Sequence, residues 1–181
     1  IAFTLKETNL IPEGITYDPV EKMFYLGSET KHKIVKVDNF GKSIDFTKED
    51  QDGLSMVLGI HIDPVRRILW ACSYEAGKPG TIGVFKYNLS SGKLIKKYLL
   101  PSNAKIRNFN DLVIHPNGDV YISTPNDYSI YKISHSSDTL EMFLKSRSFV
   151  GINGITLSED GRVIYLADSH LGIYKIDIKT K

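Results

Sequence analysis

The stretch that decides the fold runs through Asn153-Gly-Ile-Thr-Leu-Ser-Glu-Asp-Gly161, Arg162-Val-Ile-Tyr-Leu-Ala-Asp168 and Gly172-Ile-Tyr-Lys-Ile-Asp-Ile178. Its three short runs are rich in β-branched and aromatic residues, and a Ser-Glu-Asp-Gly turn and a polar loop separate them. Runs of this length, bounded by turn residues, are typical of antiparallel strands. The stretch therefore predicts a small antiparallel sheet.

The same pattern occurs three more times along the chain. The turn between the first two runs falls at Asp18, Asp63, His115 and Ser158, at intervals of 45, 52 and 43 residues. A weaker fourth run follows the first three copies. Four antiparallel strands in a repeat of about 40–50 residues describe one blade of a β-propeller. We therefore predict an all-β chain, a single propeller domain over 1–181 with about four blades near 12–50, 57–104, 109–148 and 152–181.

Both ends of the chain favour a larger ring than these four blades. Residues 1–7 alternate like an outer strand, which we assign to a neighbouring blade. The fourth copy stops after its third run, without the outer strand that completes the other copies. We therefore expect the chain to be part of a larger propeller.

The composition excludes several classes of protein. Lys and Arg total 23 against 21 for Asp and Glu, and the two signs are interspersed, which indicates a solvated surface and no nucleic-acid partner. The single cysteine, Cys72, excludes an intramolecular disulfide. No apolar run reaches the ~20 residues of a membrane span, so we expect a soluble protein. Because the chain begins at Ile1, secreted, periplasmic and cytoplasmic locations stay open, as does the oligomeric state.

Equivalent positions of the repeat predict a polar site at the mouth of the central channel. The first strand of each blade lines that channel, and the residue five before each turn is Glu13, Leu58, Asn110 or Asn153. A carboxylate and two amide oxygens suit a hard divalent cation such as calcium. Taken singly, each residue is also an ordinary turn or loop residue. Their occurrence at one repeat position favours a metal site.

The loop between the second and third strands should lie on the same face as these residues. It supplies a polar rim, which comprises Ser28, Glu29, Ser73, Tyr74, Asn126, Asp127, Tyr128, Asp168, Ser169 and His170. The candidate substrate contacts are Asn110, Asp111, Asn126 and Tyr128. Asp168 and His170 are candidates for proton transfer. Each of these rim residues is equally compatible with an ordinary polar loop.

These motifs resemble the family of regucalcin (SMP-30), gluconolactonase and paraoxonase, which are six-bladed propellers. The resemblance rests on Pro12-Glu-Gly14, Phe109-Asn-Asp111 and Ile152-Asn-Gly-Ile155, followed by Ser158-Glu-Asp-Gly161. It implies that Glu13 and Asn153 bind calcium or a similar divalent ion, with Asn110 as a ligand or a substrate contact. In this family, the ion polarises a lactone or ester carbonyl.

The chain departs from the family pattern at three places. The family's further acidic ligand lies in the blade that would follow the fourth repeat. Leu58 occupies the position where paraoxonase-like members carry a channel-facing histidine. The regucalcin-like pattern has Arg two residues before the asparagine, whereas this chain has Asn108 there and Arg107 one residue further away.

Two hypotheses for the function remain open. The first is a divalent-metal-dependent hydrolase of lactones or related esters, which takes a small-molecule substrate. The alternative is a non-catalytic propeller that binds a small metabolite, a sugar or a protein. The sequence has no Gly-x-Ser-x-Gly motif, no His-Glu-x-x-His motif and no phosphate-binding glycine loop, so serine-nucleophile and nucleotide chemistry are unsupported.

Overall fold

The computed structural model describes residues 2–78, 80–106 and 108–181, and Arg107 is thus outside the described residues. The fold is all-β, with four antiparallel sheets of consecutive strands, each forming one propeller blade. The predicted fold class is therefore confirmed. The chain divides into two compact units, Ile1–Asn103 and Ala104–Lys181, each of which holds two blades.

The first unit contains blades 1 and 2. Blade 1 consists of β1 (Pro12–Asp18), β2 (Met23–Ser28), β3 (Ile34–Val37) and β4 (Ser43–Asp45). A short 3-10 helix, Gln51–Gly53, leads to blade 2, which consists of β5 (Met56–Asp63), β6 (Ile68–Tyr74), β7 (Gly83–Asn88) and β8 (Leu94–Leu99). Blade 2 thus begins one residue before the expected position.

Side chains from the facing sides of these two blades form one core. Blade 1 contributes buried residues such as Tyr25 and Ile34, and blade 2 contributes Val57, Ile60 and Phe85. The alternation of apolar side chains along each strand directs one set toward this core, as expected for a strand with two faces. The opposite face of blade 1 is covered differently. Among residues 2–11 the structure has no strand, and Phe3 and Leu5 pack against the cluster of Leu10, Leu26, Val35 and Val37.

The second unit contains blades 3 and 4. Blade 3 consists of β9 (Leu112–Ile114), β10 (Val120–Thr124), β11 (Ser129–Ile133) and β12 (Leu140–Lys145). Blade 4 has three strands, β13 (Ile152–Leu157), β14 (Val163–Asp168) and β15 (Gly172–Asp177). Their shared core includes Val113, Tyr121, Ile155 and Leu166.

The turn residue of each repeat holds the first hairpin of its blade. The Asp18 carboxylate accepts hydrogen bonds from the N–H groups of Val20 and Glu21, and Asp63 accepts equivalent bonds from Val65 and Arg66. Asp side chains commonly close turns in this way. No helix in the described ranges is long and apolar enough to cross a membrane.

Candidate functional site

The channel-facing positions predicted from the repeat lie at irregular points of the first strands. Register shifts occur between Pro12 and Ile15 in β1, between Val57 and Ile60 in β5, and between Ile152 and Ile155 in β13. Glu13, Leu58 and Asn153 each lie within one of these three irregular segments. Because a β-bulge re-aims side chains and interrupts the alternation of a strand, it sets these residues apart from the core-facing positions that follow.

Asn110 and Asn153 are in direct contact in the second unit. Asn110 lies two residues before the start of β9, at the equivalent position of blade 3, and it is only 7 % exposed. Its Nδ2 donates a hydrogen bond to Oδ1 of Asn153 at 2.6 Å. The Asn153 side chain is exposed to solvent. Two residues that are 43 positions apart in the sequence therefore form one amide pair, which we call the asparagine pair.

The hydroxyl of Ser123 fixes the backbone beneath the asparagine pair. Ser123 lies in β10 and is fully buried. Its Oγ donates to the backbone oxygen of Asn153 and accepts a hydrogen bond from the N–H of Asp111 at 3.2 Å. The backbone N–H of Asn110 donates to the carbonyl of Ser123 at 3.0 Å. Ser123 thus positions the backbone at the start of the first strand of blade 3 and of the first strand of blade 4.

Sequence reasoning missed Ser123 because it lies inside a second strand. The residues in register with it in the other blades are Gly27, Cys72 and Ala167, all of them small. This shared small size signals a close approach between neighbouring strands. A hydroxyl at such a position could have been recognised as a polar tie.

Asp111 also joins the two blades of the second unit. Its Oδ2 accepts a hydrogen bond from the N–H of Ile155 at 3.2 Å, and its Oδ1 accepts one from the N–H of Leu112 at 2.8 Å. The carboxylate also borders a groove of about 320 Å³, whose other lining residues are Gly154, Ile155, Thr156, Tyr165, Ala167 and Ile173. Asp111 therefore has a structural role, and its predicted substrate contact stays a prediction.

Glu13 and Leu58 lie in the first unit, in different surroundings. Glu13 is exposed, whereas Leu58 is only 4 % exposed. Glu13 thus presents its carboxylate at the bulge of β1, and Leu58 presents an apolar side chain at the bulge of β5. The assignment of Glu13 as a metal ligand stays a prediction.

Three residues expected on the polar rim are instead buried at the ends of the second strands. Ser28 and Ser73 are fully buried, and Asp168 is 5 % exposed. Ser28 donates to the carbonyl of Leu10, and Ser73 accepts from the N–H of Ser55. Each hydroxyl thereby ties the second strand of a blade to the segment that precedes its first strand. The expectation that these residues face the rim was therefore wrong, because unpaired backbone groups at the strand entry need buried partners.

Asp168 performs the same task with a carboxylate. Its Oδ2 accepts the N–H groups of Val150 and Gly151 at 2.8 and 3.0 Å, and its Oδ1 accepts those of His170 and Leu171 at 2.9 and 3.2 Å. Burial raises the pKa of this carboxyl, but the four backbone donors outweigh that effect and lower the pKa to about 2. An acid that stays ionised at neutral pH and has four donors is suited to a structural role. Its predicted role in proton transfer is untested.

Three other rim candidates of the second unit, His170, Tyr128 and Asn126, are accessible, whereas Asp127 is half-buried. His170 is exposed, and its Nδ1 lies 3.0 Å from Oγ of Ser169. Tyr128 is 46 % exposed and has a left-handed φ of 55°. Asn126 is exposed, and its Nδ2 donates to Oδ1 of Asn108 at 3.1 Å.

A metal site built only from charged or soft ligands is absent from the part of the chain that the structure describes. No group of three or more His, Cys, Asp or Glu side chains there could hold an ion. The asparagine pair offers a different kind of ligand, since its oxygens belong to amides. Amide oxygens are common ligands of calcium.

Comparison with known proteins gives a family and a fold. A family model described as the SMP-30/gluconolactonase/LRE-like region matches residues 11–181. No curated protein sequence matches the chain.

Solved structures with low sequence identity share the fold. Hydrazine synthase from Kuenenia stuttgartiensis is 17 % identical with a TM-score of 0.76, and the match covers 96 % of this chain and 48 % of that one. A gluconolactonase from Xanthomonas campestris is 14 % identical with a TM-score of 0.69, covering 91 % and 57 %. A catalytically inactive virginiamycin B lyase from Staphylococcus aureus, solved with quinupristin, is 16 % identical with a TM-score of 0.77, covering 97 % and 54 %. The chain thus spans about half the length of these neighbours.

Proposed function

Because the chain belongs to the SMP-30/gluconolactonase/LRE-like family, we propose that it is a divalent-metal-dependent hydrolase of lactones or related esters. The asparagine pair is the observation that carries the proposal. Two residues predicted from the repeat to share one height of the channel are in contact at 2.6 Å. Few ordinary turn residues would meet in this way, since they belong to different blades.

The atoms of the asparagine pair fit a hard divalent ion. Oδ1 of Asn153 accepts one hydrogen bond from Asn110 and retains a second lone pair, which can bind a cation. Asn153 is exposed and Asn110 is almost fully buried, so Asn153 is the better-placed ligand and Asn110 orients it. The role of Glu13 as a further ligand rests on its equivalent position in the repeat and on the family resemblance. When bound, such an ion would supply Lewis-acid polarisation of a lactone carbonyl.

The residues of the second unit would hold this site rigidly. Ser123 fixes the backbone of Asn153, and Asp111 fixes the N–H of Ile155, which follows the bulge. Preorganised ligands lose little conformational entropy when a substrate or an ion binds. We therefore expect the geometry of the asparagine pair to persist in the bound state.

The burial of Leu58 and the bonding of Asp168 favour a second candidate, a non-catalytic propeller that binds a metabolite, a sugar or a protein. Leu58 is apolar at an equivalent channel position, and Asp168 is ionised and fully bonded to backbone N–H groups. Neither residue can readily take a proton from water at neutral pH. A binding protein could retain the same metal position without a general base.

Thermal unfolding in chelator and then in excess calcium tests the proposal. At about 100 times its dissociation constant, a ligand stabilises the native state by ~2.7 kcal/mol, which raises the melting temperature by roughly 5–10 °C for a domain of this size. We expect that Asn153→Ala abolishes the increase and that Glu13→Gln reduces it. Asn39→Ala, which changes an exposed amide in the turn before β4, should leave it intact.

Hydrolysis assays on the calcium-loaded chain then separate the two candidates. Turnover of D-glucono-1,5-lactone or δ-valerolactone that Asn153→Ala removes would support the hydrolase. A calcium-dependent shift without turnover of either lactone would favour the binding protein. If calcium, magnesium, manganese and zinc all fail to change the melting temperature, the metal site is absent and the proposal is wrong.

A further inference from the structure

The four blades present the same series of side chains on one side of their second and third strands, which we call the rear face. In blade 1 the rear face comprises Tyr25 and Gly27 of β2 and their partners in register, Lys36 and Ile34 of β3. The equivalent residues are Trp70, Cys72, Val84 and Lys86 in blade 2, Tyr121, Ser123, Ile130 and Lys132 in blade 3, and Tyr165, Ala167, Ile173 and Lys175 in blade 4. Every blade thus combines an aromatic ring, a small residue, a β-branched aliphatic residue and a lysine there.

Within each unit, the next blade buries this rear face. Tyr25 and Ile34 are fully buried in the core that blade 1 shares with blade 2. In the second unit, Tyr121 and Ile130 are buried in the core that blade 3 shares with blade 4. The repeat therefore uses the rear face of one blade as the surface on which the following blade packs.

The rear face of blade 4 is exposed instead. Tyr165 is 37 % exposed and Ile173 is 76 % exposed, although their equivalents in blades 1 and 3 are buried. Both residues line the groove of about 320 Å³ that Gly154 also lines. A contiguous apolar patch of this kind marks an interaction surface.

The surface that packs against a rear face is the opposite side of the following blade, which we call the front face. The isoleucine three residues before the turn lies on it. This residue is Ile60 in blade 2 and Ile155 in blade 4, and both are buried in the core shared with the preceding blade. The equivalent residue of blade 1 is Ile15.

The front face of blade 1 is only partly covered. The cluster that contains Val35 and Val37 packs against Phe3. Ile15 remains 60 % exposed, and Tyr17, which lies on the same side of β1, is 41 % exposed. Blade 1 therefore exposes the kind of surface that packs against a rear face, and blade 4 exposes a rear face.

The contact between blades 1 and 2 shows how two such faces fit together. Gly14 of blade 1 lies against Ile60 of blade 2, since a Cβ added at Gly14 would be 2.9 Å from Cγ2 of Ile60 and 3.1 Å from its backbone nitrogen. Gly154 is the residue of blade 4 at the position of Gly14, and it borders the exposed groove. Ile15 of a second chain would therefore fit beside Gly154 as Ile60 fits beside Gly14.

Charges at the adjoining turns are also complementary. Where blade 2 packs on blade 1, Arg67 donates to the carboxylate of Asp18 at 2.6 and 2.8 Å. Lys22 is the equivalent of Arg67 in blade 1, and it is an exposed cation with the same left-handed backbone, with φ of 54° against 55°. The turn of blade 4 carries the exposed carboxylates of Glu159 and Asp160. An ion pair between Lys22 and this turn would repeat the charge pattern of the contact between blades 1 and 2.

We propose that the rear face of blade 4 binds the front face of blade 1 of a second copy of this chain, so that copies associate head to tail. Both faces are halves of a contact that the chain already makes between its own consecutive blades. A heterologous contact of this kind either closes into a ring of copies or continues as an open chain. The inference concerns assembly and does not depend on the proposed hydrolase.

Sedimentation velocity of the full chain from about 1 to 100 μM tests the proposal, since association in this range is typical of weak to moderate contacts. We expect the mean mass of the wild type to rise with concentration. Ile173→Lys on the rear face and Ile15→Lys on the front face should each weaken the association about 10-fold or more, because each places a charge in the apolar contact. Ile95→Lys, which changes a 51 % exposed isoleucine of β8, is the matched control and should associate like the wild type.

A mixture of the two variants distinguishes a head-to-tail contact from a symmetric one. Ile15→Lys keeps the rear face of blade 4 intact, and Ile173→Lys keeps the front face of blade 1 intact. We therefore expect an equimolar mixture to form dimers and nothing larger, although each variant alone stays monomeric. Circular dichroism spectra that match the wild type confirm that both variants are folded.

Three results would overturn the proposal. The first is a wild type that stays monomeric over the whole range, which would favour a further blade or a different protein as the occupant of the rear face. The second is an association that Ile15→Lys leaves unchanged, which would assign the contact to surfaces other than the front face of blade 1. The third is a mixture of folded variants that forms no dimer.

Discussion

Replacing Arg67 by methionine should destabilise the protein, because it removes the partner of a buried carboxylate. Arg67 precedes β6 and donates to the two carboxylate oxygens of Asp18 at 2.6 and 2.8 Å, and to Glu21 at 3.0 Å. Asp18 is completely buried. Among the described residues, the variant leaves Asp18 with the N–H groups of Val20 and Glu21 as its hydrogen-bond donors, at 3.1 and 3.3 Å. The ion pair between Arg67 and Asp18 joins blade 2 to blade 1, and its two residues are 49 positions apart in the sequence.

The magnitude follows from the burial of the two partners. Breaking a fully buried ion pair by removing one side costs about 3–5 kcal/mol. The Arg67 side chain is 24 % exposed, so some of its interaction is screened by water and we expect a loss of about 2–3 kcal/mol. For a chain of this length that corresponds to a fall in melting temperature of roughly 5–10 °C.

The assay is thermal and urea unfolding of wild type, Arg67→Met and Arg162→Met at neutral pH. Arg162 is the matched control because its side chain and that of its partner Asp160 are 81 % and 48 % exposed, so we expect a much smaller loss of stability than in Arg67→Met. Equal stability of Arg67→Met and wild type would refute the argument. So would an equal loss in both variants.

The effect of Arg67 should also depend on pH. Burial raises the pKa of Asp18, but hydrogen bonds from Arg67, Val20 and Glu21 outweigh this effect and hold the pKa below its ordinary value. A carboxyl with a lower pKa in the folded state stabilises that state above its unfolded pKa and loses the effect as pH falls through the folded value. The difference between wild type and Arg67→Met should therefore shrink below about pH 4. A difference that stays constant to the lowest pH at which both proteins fold would contradict this assignment.

Two further substitutions test the blade contacts and the strand-end carboxylate. In Gly14→Ala the new Cβ would lie 2.3 Å from the carbonyl oxygen of Leu58, so we expect a loss of roughly 1–3 kcal/mol in urea unfolding. In the equivalent Gly154→Ala, the new Cβ comes within 4 Å of Oδ2 of Asp111 alone among the described residues, at 3.9 Å, and the substitution should be tolerated; equal losses would contradict the steric argument. Asp168→Asn should lower the urea midpoint at pH 7, because an amide cannot accept on both sides. Since the pKa of Asp168 is lowered to about 2, this difference should decrease as pH falls below about 4, and a pH-independent difference would argue against the four backbone bonds.

The sequence by itself predicted the blades and the proximity of Asn110 and Asn153. Strand runs and turn residues are local signals, and a repeat places equivalent residues at equivalent heights without any knowledge of their contacts. For this reason the interval between Asn110 and Asn153 was enough to predict their proximity, which the 2.6 Å hydrogen bond confirms.

Only the tertiary structure decided which polar residues at the strand ends face solvent. Ser28, Ser73 and Asp168 are polar residues of the kind expected at a binding rim. Each of them instead bonds to backbone groups about 18 residues away in the sequence. The direction of such a side chain depends on the bulge and on the neighbouring segment, and neither is encoded in the local pattern. Ser123 and Arg67 were missed for the same reason. Whether a polar side chain at these positions faces solvent or bonds to the backbone depends on residues that the tertiary structure, and not the adjacent sequence, brings close to it.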